Sequence, residues 1–174
     1  MRAFFFPLFR LGRLPVLAAG LLCAAHAFAL DKGAAAPAFD LRGLNGQVSL
    51  AQFQGQGKLV YVDFWASWCG PCRQSFPWMN EMQAKYGARG LQIVAINLDA
   101  KNDDARGFLA AVPAQFTIAF DPAGAVPKSY GLKGMPSSYL IGRDGKLVFE
   151  HMGFNQNDKA ELEKMIGEQL GASK

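Results

Sequence analysis

Cysteine is what this chain has least to spare. It has three in 174 residues, Cys23, Cys69 and Cys72. So few cannot form a disulfide framework, and the fold must stand on a hydrophobic core, for which 51% apolar residues are ample. Histidine is scarcer still, at two. A structural zinc site needs four strong ligands, and beyond residue 30 only His151 could join the cysteines, so no metal is expected. No methionine cluster or histidine pair lies beside the cysteines, no segment repeats, and no stretch is of low complexity. The length suits one domain with a short addition.

The addition is at the front. Met1 to Arg13 carries Arg2, Arg10 and Arg13 and no acid, Leu14 to Ala25 is almost wholly apolar, and Ala27-Phe28-Ala29 forms a small-x-small site. That is the layout of a secretory signal peptide, so residues 1–29 are expected to be removed, leaving a domain over 30–174. The rival is an uncleaved anchor: the apolar run is short against the ~20 residues a bilayer asks for, although Phe4 to Leu8 would lengthen it. A lipoprotein site at Cys23 is disfavoured by the bulky Leu22 before it. Without the leader the net charge falls from +4 by three, to +1, which removes any electrostatic case for a nucleic-acid partner. Cys23 leaves too, so Cys69 and Cys72 become the only cysteines, free for chemistry.

Along the remainder, Phe39-Asp40-Leu41 and Val48-Ser49-Leu50 flank an Asn45-Gly46 turn and predict a hairpin. Ala51 to Gly57 reads as a polar connection with one helical turn. Leu59 to Ala66 and Leu91 to Leu98 are apolar on both faces, as parallel central strands are. Between them, Phe76, Met79, Met82 and Tyr86 recur at helical spacing from Pro71 onward, with a kink expected at Pro77 and a stop at Gly87 and Gly90. Asn102-Asp103-Asp104 offers caps for a helix closed by Pro113. Thr117 to Phe120 reads as a short strand and Val126 to Tyr130 as a short helix. Ser138 to Ile141 and Lys146 to Phe149 form a second hairpin. A last helix starts near Asn157 with Leu162, Met165, Ile166 and Leu170 on one face. The expected fold is α/β, a mixed central sheet with helices on both sides.

Cys69-Gly70-Pro71-Cys72 falls where the first central strand becomes a helix. A sulfur there faces free backbone N–H groups and the positive end of the helix dipole, which favour thiolate, and Cys-x-x-Cys thiols titrate at about 3.5–7.5 rather than near 8.5. Cys69 is thus the candidate attacking sulfur and Cys72 the candidate resolving one, through a mixed disulfide. A structural disulfide and half a metal site are the plainer alternatives. Asp63 lies in an apolar strand, where a lone carboxylate is costly unless the strand turns it to solvent. Trp68 is placed to shape a docking surface beside Cys69. Trp65 suits the core equally well, and His151 is either a modulating base or a strand-end surface residue.

The segment Val62-Asp63-Phe64-Trp65-Ala66-Ser67-Trp68-Cys69-Gly70-Pro71-Cys72 resembles the active site of the thioredoxin superfamily, and Gly134-Met135-Pro136 resembles its second signature. The leading hairpin, the central insert from Lys101 to Lys133 and the export leader resemble the TlpA/ResA/CcmG-like branch of periplasmic thiol-disulfide oxidoreductases. The resemblance implies a thioredoxin-like fold and a cis Pro136 opposite Cys69. It also implies that Met135 pairs its backbone with substrate, with Trp68, Gly70 and Pro71 lining the same site, and that Asp63 moves protons for Cys72. No cofactor is implied beyond the redox-active disulfide. The implied partners are protein disulfides and a membrane electron donor of the DsbD/CcdA type, acting on a monomer in the periplasm. Gly70-Pro71 is the dipeptide of reducing thioredoxins. Two departures weaken a specific role in cytochrome c maturation: Ser75 stands where several reductases of the branch have glutamate, and Ser137-Ser138 follows the proline where cytochrome-maturation members have an acid soon after.

Three functions compete. A disulfide reductase leads. A disulfide oxidase or isomerase would use the same residues at a more oxidising potential. A copper-binding thiol chaperone would use two soft sulfurs without other ligands nearby. A peroxidase is disfavoured, since the flanks of Cys69 lack the threonine of that branch.

Overall fold

The computed structural model describes Met1 and residues 30–171, so the leader expected over 1–29 lies, apart from Met1, outside the described residues. Strands β1 (Asp40–Gly43) and β2 (Gly46–Ser49) pair as the expected hairpin, turning at Leu44-Asn45 with Gly46 at φ 127°. Helix α1 (Leu50–Gln54) begins where the Ser49 hydroxyl accepts the Gln52 N–H at 3.3 Å, which satisfies an amide that the first helical turn leaves free. Strand β3 (Leu59–Trp65) is buried at every position and leads to α2 (Gly70–Tyr86), a 3₁₀ turn over Gly87–Arg89 and β4 (Leu91–Asn97). Gly90, at φ 110°, ends this turn as expected. The helix continues through the exposed Pro77 as one element.

The insert supplies α3 (Asn102–Ala111), β5 (Thr117–Phe120) and α4 (Ala125–Ser129). The chain ends with β6 (Ser137–Ile141), β7 (Leu147–Met152) and α5 (Asp158–Gly171). The seven strands form one mixed sheet in the order β2-β1-β5-β4-β3-β6-β7. Parallel pairing joins β3, β4 and β5; β6 and β7 add antiparallel on one side, and the hairpin docks antiparallel on β5 at the other.

Alternation along β3 divides the core in two. Leu59, Tyr61 and Trp65 face α2, α3 and α5 together with Phe76, Met79, Phe108, Leu162 and Ile166. Val60, Val62 and Phe64 face α1 and α4 with Phe53, Val126 and Tyr130. Each layer buries a stripe that one element could not bury alone.

Three local expectations are corrected. Asn102 does not cap α3: Lys101 holds the extended cap conformation with no side-chain bond, and Asp103 and Asp104 sit inside the first turn, where the dipole favours acids. Asn157 does not fasten the start of α5; Asn155 does, its N–H and side-chain amide donating to the Asp158 carboxylate at 2.7 and 2.9 Å. Trp78, absent from the expected apolar face of α2, is 1% exposed and packs on Tyr61 and Phe154.

Candidate active site

The site is assembled where the parallel strands end. Strand β3 stops at Trp65, whose carbonyl accepts the Leu98 N–H at 2.9 Å, and the chain turns through Ala66, Ser67 and Trp68. The Ala66 carbonyl then accepts the Cys69 N–H at 3.1 Å. Cys69 is the N-cap of α2, with extended backbone (φ −83°, ψ 104°), and its Sγ accepts the Cys72 N–H at 3.3 Å. A sulfur thus takes the place that serine or aspartate fills at ordinary helix starts, against the positive end of a 17-residue helix. Pro71 occupies the first turn, where its missing N–H costs nothing.

Cys69 and Cys72 are joined in a disulfide, their Cα atoms 5.3 Å apart. Their surroundings differ. Cys69 retains 5% exposure while Cys72 has none, and Gly70 and Pro71 between them are exposed. Ser75, one turn on, is buried and donates its hydroxyl to the Cys72 carbonyl at 3.0 Å.

The register of β3 against β6 pairs Phe64 with Ser137, which brings Met135-Pro136 alongside the end of β3. The Met135–Pro136 peptide bond is cis. Met135 packs, partly buried, against the core cluster that contains both cysteines, and the Pro136 carbonyl accepts the Gly153 N–H at 2.7 Å. Trp68 is 72% exposed, a large apolar surface next to Cys69, whereas Trp65 is fully buried, packed on Phe76 and Phe108.

Asp63 is 1% exposed, so it does not face solvent. It sits on the face of β3 that also carries Tyr61 and Trp65, opposite Ser138 of β6. The Ser138 hydroxyl donates to its Oδ1 at 2.8 Å; Oδ2 has no partner among the described residues. Burial disfavours the charged form and pushes this carboxyl up from 3.8 to about 7, against the smaller opposing pull of the Ser138 hydrogen bond. A carboxyl in that range can give or take a proton near neutral pH.

His151 is not plainly a surface residue. Its side chain is 21% exposed and Nε2 lies 3.3 Å from the Asp158 carboxylate, outside hydrogen-bonding geometry. It stands directly across from Ser138 in the β6–β7 register.

Sequence reasoning passed over a second buried carboxylate, Asp99, 3% exposed, which accepts from Ser67 and Asn97 at the mouth of the site. The available signal was two polar residues, Asn97 and Asp99, just where an apolar strand ends. It also passed over Met152, 62% exposed at the end of β7, with Sδ against Gly134. Among the described residues, no group of three His, Cys, Asp or Glu side chains is placed to hold a metal.

The redoxin family model matches residues 31–166. The thiol-disulfide oxidoreductase ResA of Bacillus thuringiensis is 34% identical over 138 residues, covering 79% of this chain and 78% of its own. A solved structure from Chlorobium tepidum, assigned as thiol:disulfide interchange protein DsbE, is 60% identical with a TM-score of 0.80, over 82% of this chain and 99% of that one. A protein disulfide isomerase assignment from Bacteroides thetaiotaomicron, solved in solution, shares 26% identity with a TM-score of 0.74, over 82% and 91% of the two chains. With a Cys-x-x-Cys disulfide at a strand-to-helix junction and a cis proline beside it, this chain belongs to the redoxin family of the thioredoxin superfamily and is a thiol-disulfide oxidoreductase of the ResA/DsbE-like kind.

Proposed function

We propose that the protein is an exported protein-disulfide reductase in which Cys69 attacks and Cys72 resolves. The observation that carries the assignment of roles is the difference in burial: Cys69 keeps 5% exposure beside the exposed Gly70 and Pro71, and Cys72 has none. In the reduced protein the Cys69 thiolate attacks a substrate disulfide, forming a mixed disulfide and releasing one substrate thiolate. Cys72 then gives up its proton and attacks Cys69 Sγ, which closes the internal disulfide and expels the second substrate thiolate. Two electrons pass to substrate, and the two released thiolates take up two protons. Asp63, buried on the face of β3 that also carries Tyr61 and Trp65 and titrating near neutrality, accepts the Cys72 proton in the resolving step. Met135 pairs its backbone with the bound segment beside Pro136, and Trp68, Gly70 and Pro71 form the remaining contact surface. The internal disulfide is the only redox group the cycle needs.

Gly70-Pro71 between the cysteines supports the reducing direction, and the leader sequence supports export to the periplasm. An oxidising compartment has no thiol pool to recharge such a protein, so a membrane donor of the DsbD/CcdA type would return the electrons to a monomer. Equilibration of Cys69/Cys72 against glutathione redox buffers decides the direction. Reduction only at strongly reducing poise is expected; a pair that ordinary glutathione ratios reduce readily marks an oxidase or isomerase instead. Cys72→Ser should accumulate mixed disulfides on Cys69. If Cys69→Ser accumulates them, the two roles are reversed.

A further inference from the structure

Two residues before Cys69, the chain is tied down by a carboxylate from the neighbouring strand. Asp99 follows β4, and its Oδ2 accepts the Ser67 N–H at 2.9 Å and the Asn97 side-chain amide at 2.8 Å. Its Oδ1 accepts the Ser67 hydroxyl at 3.0 Å and shares the Ser67 N–H at 3.2 Å. Asn97, 1% exposed, is held in turn: its Oδ1 accepts the Asp99 N–H at 3.1 Å and its backbone carbonyl accepts the Asp121 N–H at 2.9 Å. No lysine or arginine pairs with Asp99 among the described residues. The buried charge is therefore stabilised by donors alone, and all of them come from the active-site turn and the strand beside it.

The Ala66 carbonyl closes the turn by accepting the Cys69 N–H, and Asp99 is the partner of both the Ser67 N–H and the Ser67 hydroxyl. The Trp68 indole is 72% exposed and packs into no core, so its position follows from the backbone of Ser67 and Trp68. Cys69 has its own anchorage, as the cap of a helix whose inner face is buried through Cys72, Phe76 and Met79. We propose that Asp99 is a positioning residue for the exchange reaction, its carboxylate fixing the Ser67–Trp68 turn and so setting how a protein disulfide docks against Cys69. This rests on thiol-disulfide exchange at Cys69 and holds for either direction of electron flow.

The polarity of the contacts makes asparagine a poor substitute. In Asp99→Asn the new NH₂ either faces the Asn97 amide, donor against donor, or turns to Ser67, where the hydroxyl must reverse to accept it and the Ser67 N–H loses one of its two acceptors. Exchanging the two residues restores the pattern. In the Asn97→Asp, Asp99→Asn double variant, the amide at position 99 donates to the carboxylate at position 97 and keeps its oxygen for Ser67.

The experiment compares two disulfides in single turnovers of the fully reduced protein: insulin, which must dock, and Ellman's reagent, which needs only a reachable thiolate. Asp99→Asn should lower the second-order rate constant with insulin about tenfold and that with Ellman's reagent less than about twofold, the signature of lost docking geometry with the thiol intact. The double variant should recover most of the insulin rate. Ser67→Ala, which removes one donor and leaves the N–H, should lower it about threefold, and it provides the test if Asp99→Asn does not fold. Equal falls with both disulfides, no fall with either, or a double variant no better than the single one would overturn the inference. A wild-type protein inert toward both would instead overturn the exchange chemistry itself.

Discussion

At the scale of single residues, Asp63 couples the chemistry to stability. Its carboxyl is pushed from 3.8 to about 7 by burial, so the folded chain keeps a proton that the unfolded chain releases. Stability must then fall as pH rises from about 4 to about 7 and level off above that. A shift of this size corresponds to roughly 4 kcal/mol at the upper limit, at about 1.4 kcal/mol per unit. Asp63→Asn removes the slope. Its stability relative to wild type should rise from pH 4 to about pH 7 and then level off in urea unfolding of the oxidised proteins, by about 2–4 kcal/mol in all. Parallel profiles would show that Asp63 does not titrate there. The same variant should slow release of a trapped mixed disulfide by at least about tenfold at pH 7, since the resolving thiol loses its proton acceptor. That Asp63 was costly in an apolar strand could be read from its neighbours. Its Ser138 partner could not, because that contact depends on which strand lies beside β3 and in what register.

At the scale of elements, helix α2 is welded to the sheet through aromatic packing. Phe76 is fully buried, with ring centroids 4.9 Å from Trp65, 5.0 Å from Phe108 and 5.3 Å from Phe116. Phe76→Ala should cost about 3–5 kcal/mol, through lost burial and the cavity left behind, and this is checked by the urea midpoint at constant slope. A loss below about 1 kcal/mol would mean that the layer closes over the gap. The hairpin makes a different demand. Gly43 lies where β1 meets β5, and a Cβ there would come within 2.7 Å of the Ile118 carbonyl oxygen and 2.6 Å of a Val48 methyl. Gly43→Ala should therefore destabilise by about 1–3 kcal/mol despite an ordinary backbone conformation, again read from the urea midpoint. These elements themselves were legible, since Asn45-Gly46, the two apolar runs and the 3–4 spacing in α2 are local signals. The demands on Gly43 and Asp99 were not. Each is set by a contact far along the chain, Ile118 against Gly43 and Ser67 against Asp99, and only the assembled sheet brings those partners together.

At the scale of the whole molecule, redox potential and folding stability are one quantity seen from two sides. The sheet order places β5 of the insert beside β4 and leaves the cysteines at the strand ends, an arrangement that pattern alone did not determine, since neither β1 nor β5 carries a mark of its neighbour. What this scaffold does to the pair is measurable without any partner. In a closed cycle of folding and reduction, a folded state that favours the disulfide lowers the reduction potential and is itself more stable oxidised than reduced; a strong oxidant shows the reverse, because its reduced form is the stabilised one. The link is quantitative: for two electrons, about 30 mV corresponds to 1.4 kcal/mol. The structure gives the disulfide a buried setting, with Cys72 wholly enclosed and the Cys72 N–H donated to Cys69 Sγ. If the protein is a reductase, the oxidised form should unfold at higher urea than the form kept reduced, by at least about 1 kcal/mol, and at a higher Tm by about 2–4 °C. Asp63→Asn should preserve the sign at pH 5, where the wild-type carboxyl is itself mostly protonated. A reduced form more stable than the oxidised one would identify a donor of disulfides, and the reductase reading would fall with it.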